Sequence, residues 1–452
     1  MQPMVELPAR GGLDYDETPF LAIWEVTQSC DLACKHCRAA AQPEAHPEQL
    51  TTRQGKALID QIAEMHVPVF VLTGGDPLKR ADIFELVEHA AARGVRVALT
   101  PSATPLLTRE AIFRLRDAGL VRLGISLDGS SPEIHDVFRG LPGAWQRTVE
   151  AVGWAAEAGI PIQVHTTLSR HNAHDLEAMT ALLQQLEVVM WNLFFLVPVG
   201  RGQQADMLTG EEFEAIFGHL YELSRRAPFQ IKTTEAMHYR RYLIQHNLQE
   251  RQAGHAAGHP HGAGASQGVG TSQSMDHSQG MGASQSVTGG MPESVLTSAA
   301  ETGRAASADI DHYSAGAPRT SAAERNRVWA TRRVNDGRGF VFISHRGEVF
   351  PSGFLPMRAG SILEKPLAEI YREAPIFQAL RDTDMLHGKC GVCEYRQICG
   401  GSRARAYAMT GDPLAAEPCC TYQPRGWKPE HASVALQRLE EMSPSQALVQ
   451  LR

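Results

Sequence analysis

The chain has 452 residues, 43% hydrophobic and 21% charged, with a net charge of −7. That is length enough for one large α/β domain and a smaller one, and the negative balance excludes the basic footprint of a nucleic-acid binder. Residues 1–10 hold no apolar signal segment, and no window approaches the roughly 18 uncharged apolar residues of a membrane span; a cytoplasmic protein with no membrane partner is expected.

After an N-terminal extension (1–19), residues 20–250 alternate β-rich runs with amphipathic helical stretches. Strands are predicted over 20–27, 67–73, 95–100, 121–127, 160–168 and 191–197. Helices are predicted over 52–65, 81–93, 109–118, 145–158 and 175–187, with two more over 210–226 and 235–249. Gly94, Gly119 and Gly159 each end a helical pattern just before a strand, as glycines after a helix C-terminus do. Six such units imply parallel strands with right-handed crossovers. Six is short of eight, so the expectation is an open, partial (β/α)6 barrel with its chemistry at the C-terminal strand ends.

Composition then changes. Residues 251–326 are rich in Gly, Ser, Ala and Gln, with near-repeats of Ser-Gln and almost no aromatic residue. Such a tract cannot bury enough apolar surface to offset ordering and reads as a disordered insertion. Residues 327–425 begin with a β-hairpin (339–344 and 348–350). A helical run over 366–381 leads into a cysteine cluster, so a small α+β, cysteine-rich domain is expected there. Residues 426–452 read as a helical tail.

The eight cysteines lie in two tight groups near the chain ends. In a long chain without an export signal, that points to metal sites rather than disulfides. The first group, Cys30, Cys34 and Cys37, has the spacing C-x3-C-x2-C directly after the first apolar run. Thiolates select iron–sulfur clusters or zinc, and three ligands with one vacancy describe a reactive site. Zinc held by the three cysteines and His36 is the alternative, although adjacent residues 36 and 37 close a tetrahedron poorly.

This run, placed after a first strand, resembles the signature of the radical S-adenosylmethionine (SAM) superfamily. The resemblance implies a [4Fe–4S] cluster on Cys30, Cys34 and Cys37 whose open iron chelates SAM. It also implies reductive cleavage to a 5′-deoxyadenosyl radical and hydrogen abstraction from a substrate, with electrons from a donor such as ferredoxin or flavodoxin. Gly74-Gly75-Asp76 ends the second strand and resembles the family's GGE motif, with Asp76 in place of Glu; alone it is an ordinary turn. The two glycines are expected to let backbone approach a ligand. Ser126 and Asp128 resemble the strand-four motif that contacts the ribose and methionine parts of SAM. Either Arg139 or Arg147 would pair with the SAM carboxylate, a role guanidinium suits. Leu196 is expected against the adenine, and Arg201 is a candidate for an acidic substrate.

Cys390, Cys393 and Cys399 (C-x2-C-x5-C), followed by Cys420, resemble the C-terminal SPASM/twitch extension of radical SAM enzymes. There these positions hold an auxiliary [4Fe–4S] cluster. Cys420 is the implied fourth ligand and Cys419 the alternative; a zinc ribbon fits the residues alone nearly as well. A fuller extension would carry another cysteine where this chain has Ser352, so one auxiliary cluster is expected. With a single auxiliary cluster, the resemblance favours a tetrapyrrole side chain as substrate, in haem-type cofactor maturation. A ribosomally made peptide is the alternative, and a non-catalytic iron–sulfur sensor or zinc scaffold is the alternative of another class.

Overall fold

The computed structural model describes residues 13–257 and 333–428. The expected insertion beyond residue 257 and the tail from 429 onward lie outside the described residues. Seven parallel strands follow one another in order: β1 (Leu21–Glu25), β2 (Val69–Thr73), β3 (Val97–Leu99), β4 (Arg122–Ser126), β5 (Ile162–Leu168), β6 (Met190–Phe195) and β7 (Gln230–Thr234). Helices α1 (Thr52–Glu64), α2 (Ile83–Ala92), α3 (Arg109–Asp117), α4 (Pro132–Arg139), α5 (Ala144–Glu157), α6 (Leu176–Gln185) and α7 (Gly210–Arg226) make the crossovers, and α8 (Tyr239–Ala257) follows β7. Gly94, Gly119 and Gly159 have φ of +74°, +94° and +73°, the left-handed conformation expected of them. Capping boxes open α1, between Thr51 and Gln54, and α7, between Thr209 and Glu212.

Two features depart from the expected six units. β7 is a seventh parallel strand, paired with β6 from Met190↔Gln230 to Phe194↔Thr234. The C-terminal hairpin does not stand apart from the barrel. Its first strand, β8 (Phe340–Ile343), pairs parallel with β1 from Leu21↔Phe340 to Trp24↔Ile343. β9 (Glu348–Phe350) and β10 (Gly360–Ser361) then extend the same sheet antiparallel. The order is β10-β9-β8-β1-β2-β3-β4-β5-β6-β7, and the sheet stays open. The chain continues through α9 (Leu367–Glu373), α10 (Pro375–Arg381), α11 (Gly388–Gly391) and α12 (Arg403–Thr410).

The main core lies between the sheet and its outer helices, around fully buried Trp24, Phe70, Trp191, Phe195 and Phe217. Truncating a side chain of that size costs about 3–5 kcal/mol. The inner face of the sheet is different: along β5, Ile162, Val164, Thr166 and Leu168 are buried while Gln163, His165 and Thr167 are half-buried. That alternation turns Gln163 and His165 toward a cavity inside the barrel, whose lining is mainly apolar with polar groups set into it. Among the described residues no helix is long and apolar enough to cross a membrane.

Candidate active site

The first cysteine loop leaves the C-terminal end of β1, where barrel chemistry belongs. Cys30 N donates to Gln42 O (2.8 Å) and Cys37 N to Cys34 O (3.3 Å), so the loop folds back on itself. Cys30 and Cys34 are buried and Cys37 half-buried, in one small cluster with Leu32, Ala41 and Leu141. Each sulfur has a donor aimed at it. Leu32 N reaches Cys30 Sγ (3.4 Å), Arg139 Nη1 reaches Cys34 Sγ (3.8 Å), and Ala41 N reaches Cys37 Sγ (3.4 Å). Burial pushes the Cys30 and Cys34 thiols up, and Arg139 opposes it at Cys34. Bound metal charge is what turns such thiols into thiolates. Among the described residues no three His, Cys, Asp or Glu side chains converge as a single ion would draw them. A cluster spreads its ligands over several irons and asks for no such convergence.

The Gly-Gly-Asp segment serves that loop. Gly75 N donates to Thr27 O (2.8 Å) and Asp76 N to Ser29 O (2.7 Å). A Cβ on Gly75 would sit 2.4 Å from Ser29 O, and one on Gly74 2.6 Å from Thr27 O. The bareness expected to admit a ligand thus admits the cysteine loop itself. Asp76 is fully buried, accepting from Leu78 N (3.1 Å), Ser102 N (3.3 Å) and Thr104 Oγ1 (2.7 Å). Burial raises its carboxyl despite these donors.

Arg139 ends α4, and its Nε donates to Asp128 Oδ2 (2.5 Å) while Nη1 faces Cys34. Asp128 is fully buried and also accepts from Thr167 N (2.7 Å); burial raises its carboxyl and Arg139 counters it. Of the two candidate arginines, Arg139 therefore touches the cysteine loop, whereas Arg147 sits half-buried on α5. Ser126 ends β4, half-buried, in register with His165. Leu196 is buried just beyond β6, and its carbonyl accepts from Arg405 Nη2 (3.4 Å). His36, the possible zinc ligand, stacks on Phe138 at 4.2 Å with Nε2 3.9 Å from Asp128.

Arg201 does something other than the expected reading of an acidic substrate. Its Nε donates to Cys34 O (2.8 Å), its Nη1 to Ala41 O (3.2 Å), and its backbone N to Cys37 O (2.9 Å). Gly200 beside it has φ +61°, and a Cβ there would lie 2.3 Å from both Cys37 O and Arg38 O. The turn after β6 clamps the cysteine loop from the far side.

The barrel cavity measures ≈ 250 Å³, room for about eight water molecules. Arg38, adjacent to Cys37, lines one end. It pairs with Glu25 (2.8 Å), and its guanidinium lies 4.5 Å over the Phe342 ring. Burial alone would raise the Glu25 carboxyl, but Arg38 and His345 hold it below the usual range. Asn335 also lines the cavity and donates to Cys399 O (3.3 Å) and Gly401 O (2.9 Å). The cavity is thus lined both by a neighbour of the first cysteine loop and by a residue bonded to the second. Arg122, Lys232 and Arg240 line it together with Phe194, Phe340, Phe342 and Phe354. The sequence reading missed these lining residues. Their signal was the polar alternation in a parallel strand expected to be apolar on both faces.

At the second group, Cys390, Cys393, Cys399 and Cys420 line one small pocket. Gly401 N points at Cys399 Sγ (3.4 Å) and Glu417 N at Cys390 Sγ (3.4 Å). Cys419 turns away toward Leu208 O (3.9 Å) and the main core. Ser352, where a further cysteine was considered, is buried and lines the barrel cavity.

Residues 24–183 match the model of the radical SAM superfamily. The AdoMet-dependent heme synthase of Methanosarcina barkeri is 36% identical over 90% of this chain and 97% of its own length. The AdoMet-dependent heme synthase of Oleidesulfovibrio alaskensis is 35% identical over 90% of this chain and 88% of its own. Among solved structures, SuiB of Streptococcus suis bound to the precursor peptide SuiA shares the fold (TM-score 0.58, 13% identity, 90% of this chain and 76% of that one). A family match over the cysteine loop, near-complete coverage of relatives and a shared fold agree with the geometry: the chain belongs to the radical SAM superfamily, in its branch with a cysteine-rich C-terminal domain.

Proposed function

We propose that this enzyme modifies an iron tetrapyrrole bearing carboxylate side chains. The observation that carries the reading is the cavity between the two cysteine sites. Its aromatic wall suits a flat macrocycle, and Arg38, Arg122, Lys232 and Arg240 around it suit peripheral carboxylates. The heme synthase relatives, matched over most of their length, support the same substrate class.

In this reading Cys30, Cys34 and Cys37 hold the SAM-binding [4Fe–4S] cluster. Cys390, Cys393, Cys399 and Cys420 hold one auxiliary [4Fe–4S] cluster, fed by a ferredoxin- or flavodoxin-type donor. When bound, the first cluster supplies the electron that splits SAM and releases a radical able to take a substrate hydrogen. The chain's own residues do the rest. Arg139 is positioned to meet the SAM carboxylate beside Cys34, with Asp128 orienting it. Gly74, Gly75, Ser126 and Leu196 edge the space above the strands where SAM would lie. Arg38 stands where SAM and substrate would meet.

The test is anaerobic reconstitution, reduction with dithionite and addition of Fe-coproporphyrin III. The expected outcome is 5′-deoxyadenosine formed together with a mass change in the porphyrin. SAM cleavage that leaves the porphyrin unaltered, while a peptide from the same genomic neighbourhood is modified, would replace the reading with the peptide one.

A further inference from the structure

Inside the barrel one imidazole stands apart from every role above. His165 sits at mid-height on β5, and its ring faces the cavity. Among the described residues no hydrogen bond to that ring is found. It stacks on Phe194 (centroids 5.4 Å apart, planes 19° from parallel), and Phe194 in turn meets Phe354 at 6.1 Å. The ring packs closely over the wall beside it: a Cβ on Gly124 would lie 2.7 Å from His165 Nε2 and 2.8 Å from Thr100 Oγ1, so only glycine leaves the ring its place. The ring is half-buried and lines the cavity, so a ligand held there can reach one of its lone pairs.

The surroundings say what that something is. His165 is in register with Ser126 on one side and with Asn192 on the other, and Asn192 is in register with Lys232. Arg122 lines the cavity from β4. An imidazole at the centre of a wall, with cations on strands to either side, matches a ligand that carries a metal at its centre and carboxylates at its rim. Burial, reinforced by Lys232 and Arg139, lowers the ring's pKa to about 3. The free base that a metal needs therefore exists at every working pH.

We propose that His165 is the axial ligand that the enzyme gives to the iron of its tetrapyrrole substrate. The inference rests on the substrate class proposed above. Coordination would fix the macrocycle's depth and tilt, and so decide which peripheral side chain faces the SAM-binding loop. Imidazole is a common protein ligand of haem iron.

The test uses the full chain with both clusters loaded and oxidised, so that they are silent in EPR. Metal-free coproporphyrin III is titrated first, followed by fluorescence; then ferric coproporphyrin III is titrated, followed by EPR with ¹⁵N-histidine labelling. In the wild type the iron porphyrin should show a histidine nitrogen coupled to ferric iron. His165→Ala should lose that coupling, bind the iron porphyrin on the order of tenfold more weakly, and regain a nitrogen-ligated spectrum with free imidazole. Its affinity for the metal-free porphyrin should stay close to wild type. Iron content per chain checks that the variant is folded. An unchanged nitrogen coupling in His165→Ala would overturn the proposal while leaving the substrate class standing. Failure of the wild type to bind even the metal-free porphyrin would instead remove the substrate class, and this inference with it.

Discussion

The cysteine loop is held by side chains that never needed to look catalytic. Gly200 and Arg201 press on it from β6, Gly75 and Asp76 support it from β2, and Arg139 reaches Cys34 from α4. Gly200→Ala would drive a methyl into two carbonyls in a backbone region that L-residues avoid. The expected result is loss of iron from the first site, with the second site's iron retained, read by iron per chain and by visible absorbance. Full iron loading with unimpaired SAM cleavage would show that the clamp is dispensable. His135 makes a different prediction. Its Nδ1 accepts from Asp128 N (3.0 Å), and burial, then Arg139, lower its pKa to about 3. A histidine held neutral in the fold contributes its full stability above the unfolded value of about 6.5. That stability is lost as pH falls from there toward the folded value. By pH 5 the loss is about 2 kcal/mol. Denaturant unfolding at pH 7 and pH 5 should show a smaller pH dependence in His135→Asn, by that order. An identical dependence would mean that other groups carry the acid sensitivity.

At the scale of elements, the first six strands were legible because each is a compact apolar run, several of them entered through a glycine. β7, Gln-Ile-Lys-Thr-Thr, was not legible. It borders the barrel cavity, so only Ile231 is buried and no apolar run remains. α4 was missed as well, although Ser131 and Pro132 mark its start, because eight residues make too short a pattern. The cysteine spacing was readable because ligand spacing is local. The roles of Gly75 and Arg201 were not, because they depend on which loops meet across the strand ends. The pairing of β8 with β1 is the extreme case, joining residues more than three hundred positions apart. It has a consequence for dissection of the chain. A fragment ending at residue 332 would leave Leu21–Trp24 of β1 as an unpaired edge and uncover Val341 and Ile343's side of the core. Exposed parallel edges of this kind aggregate. The fragment should be recovered as aggregate on size-exclusion chromatography; a soluble monomer with the full chain's melting temperature would show that the barrel ends at β1.

Across the whole molecule, the two cysteine sites are separate in ligands, and a buried arginine joins the barrel to the second of them. Arg405 on α12 is wholly buried. Its Nη2 donates to Glu235 O (2.7 Å) at the end of β7 and to Phe195 O (3.1 Å) at the end of β6, and its Nη1 pairs with Glu417 (3.2 Å). Glu417, also buried, accepts from Ser402 N (2.7 Å) and Cys419 N (3.1 Å), and its own amide points at Cys390 Sγ. Burial would raise the Glu417 carboxyl, but Arg405 and His238 hold it below the usual range. The arginine thus ties two barrel strand ends to the backbone around the second cysteine pocket. Removing it leaves Glu417 charged and unpaired in the interior, at a cost of about 3–5 kcal/mol. Because the ion pair it loses, with Glu417, lies beside the second cysteine pocket, the damage should centre there. Arg405→Met should lower the denaturant midpoint and strip iron from the second site first, with the first site's loading close to that of wild type. Cys34→Ala is the mirror experiment: SAM cleavage is abolished and the second site's absorbance persists. If Arg405→Met instead empties both sites together, the barrel and the cysteine-rich segment unfold as a single unit, and the shared sheet rather than the arginine is what couples them.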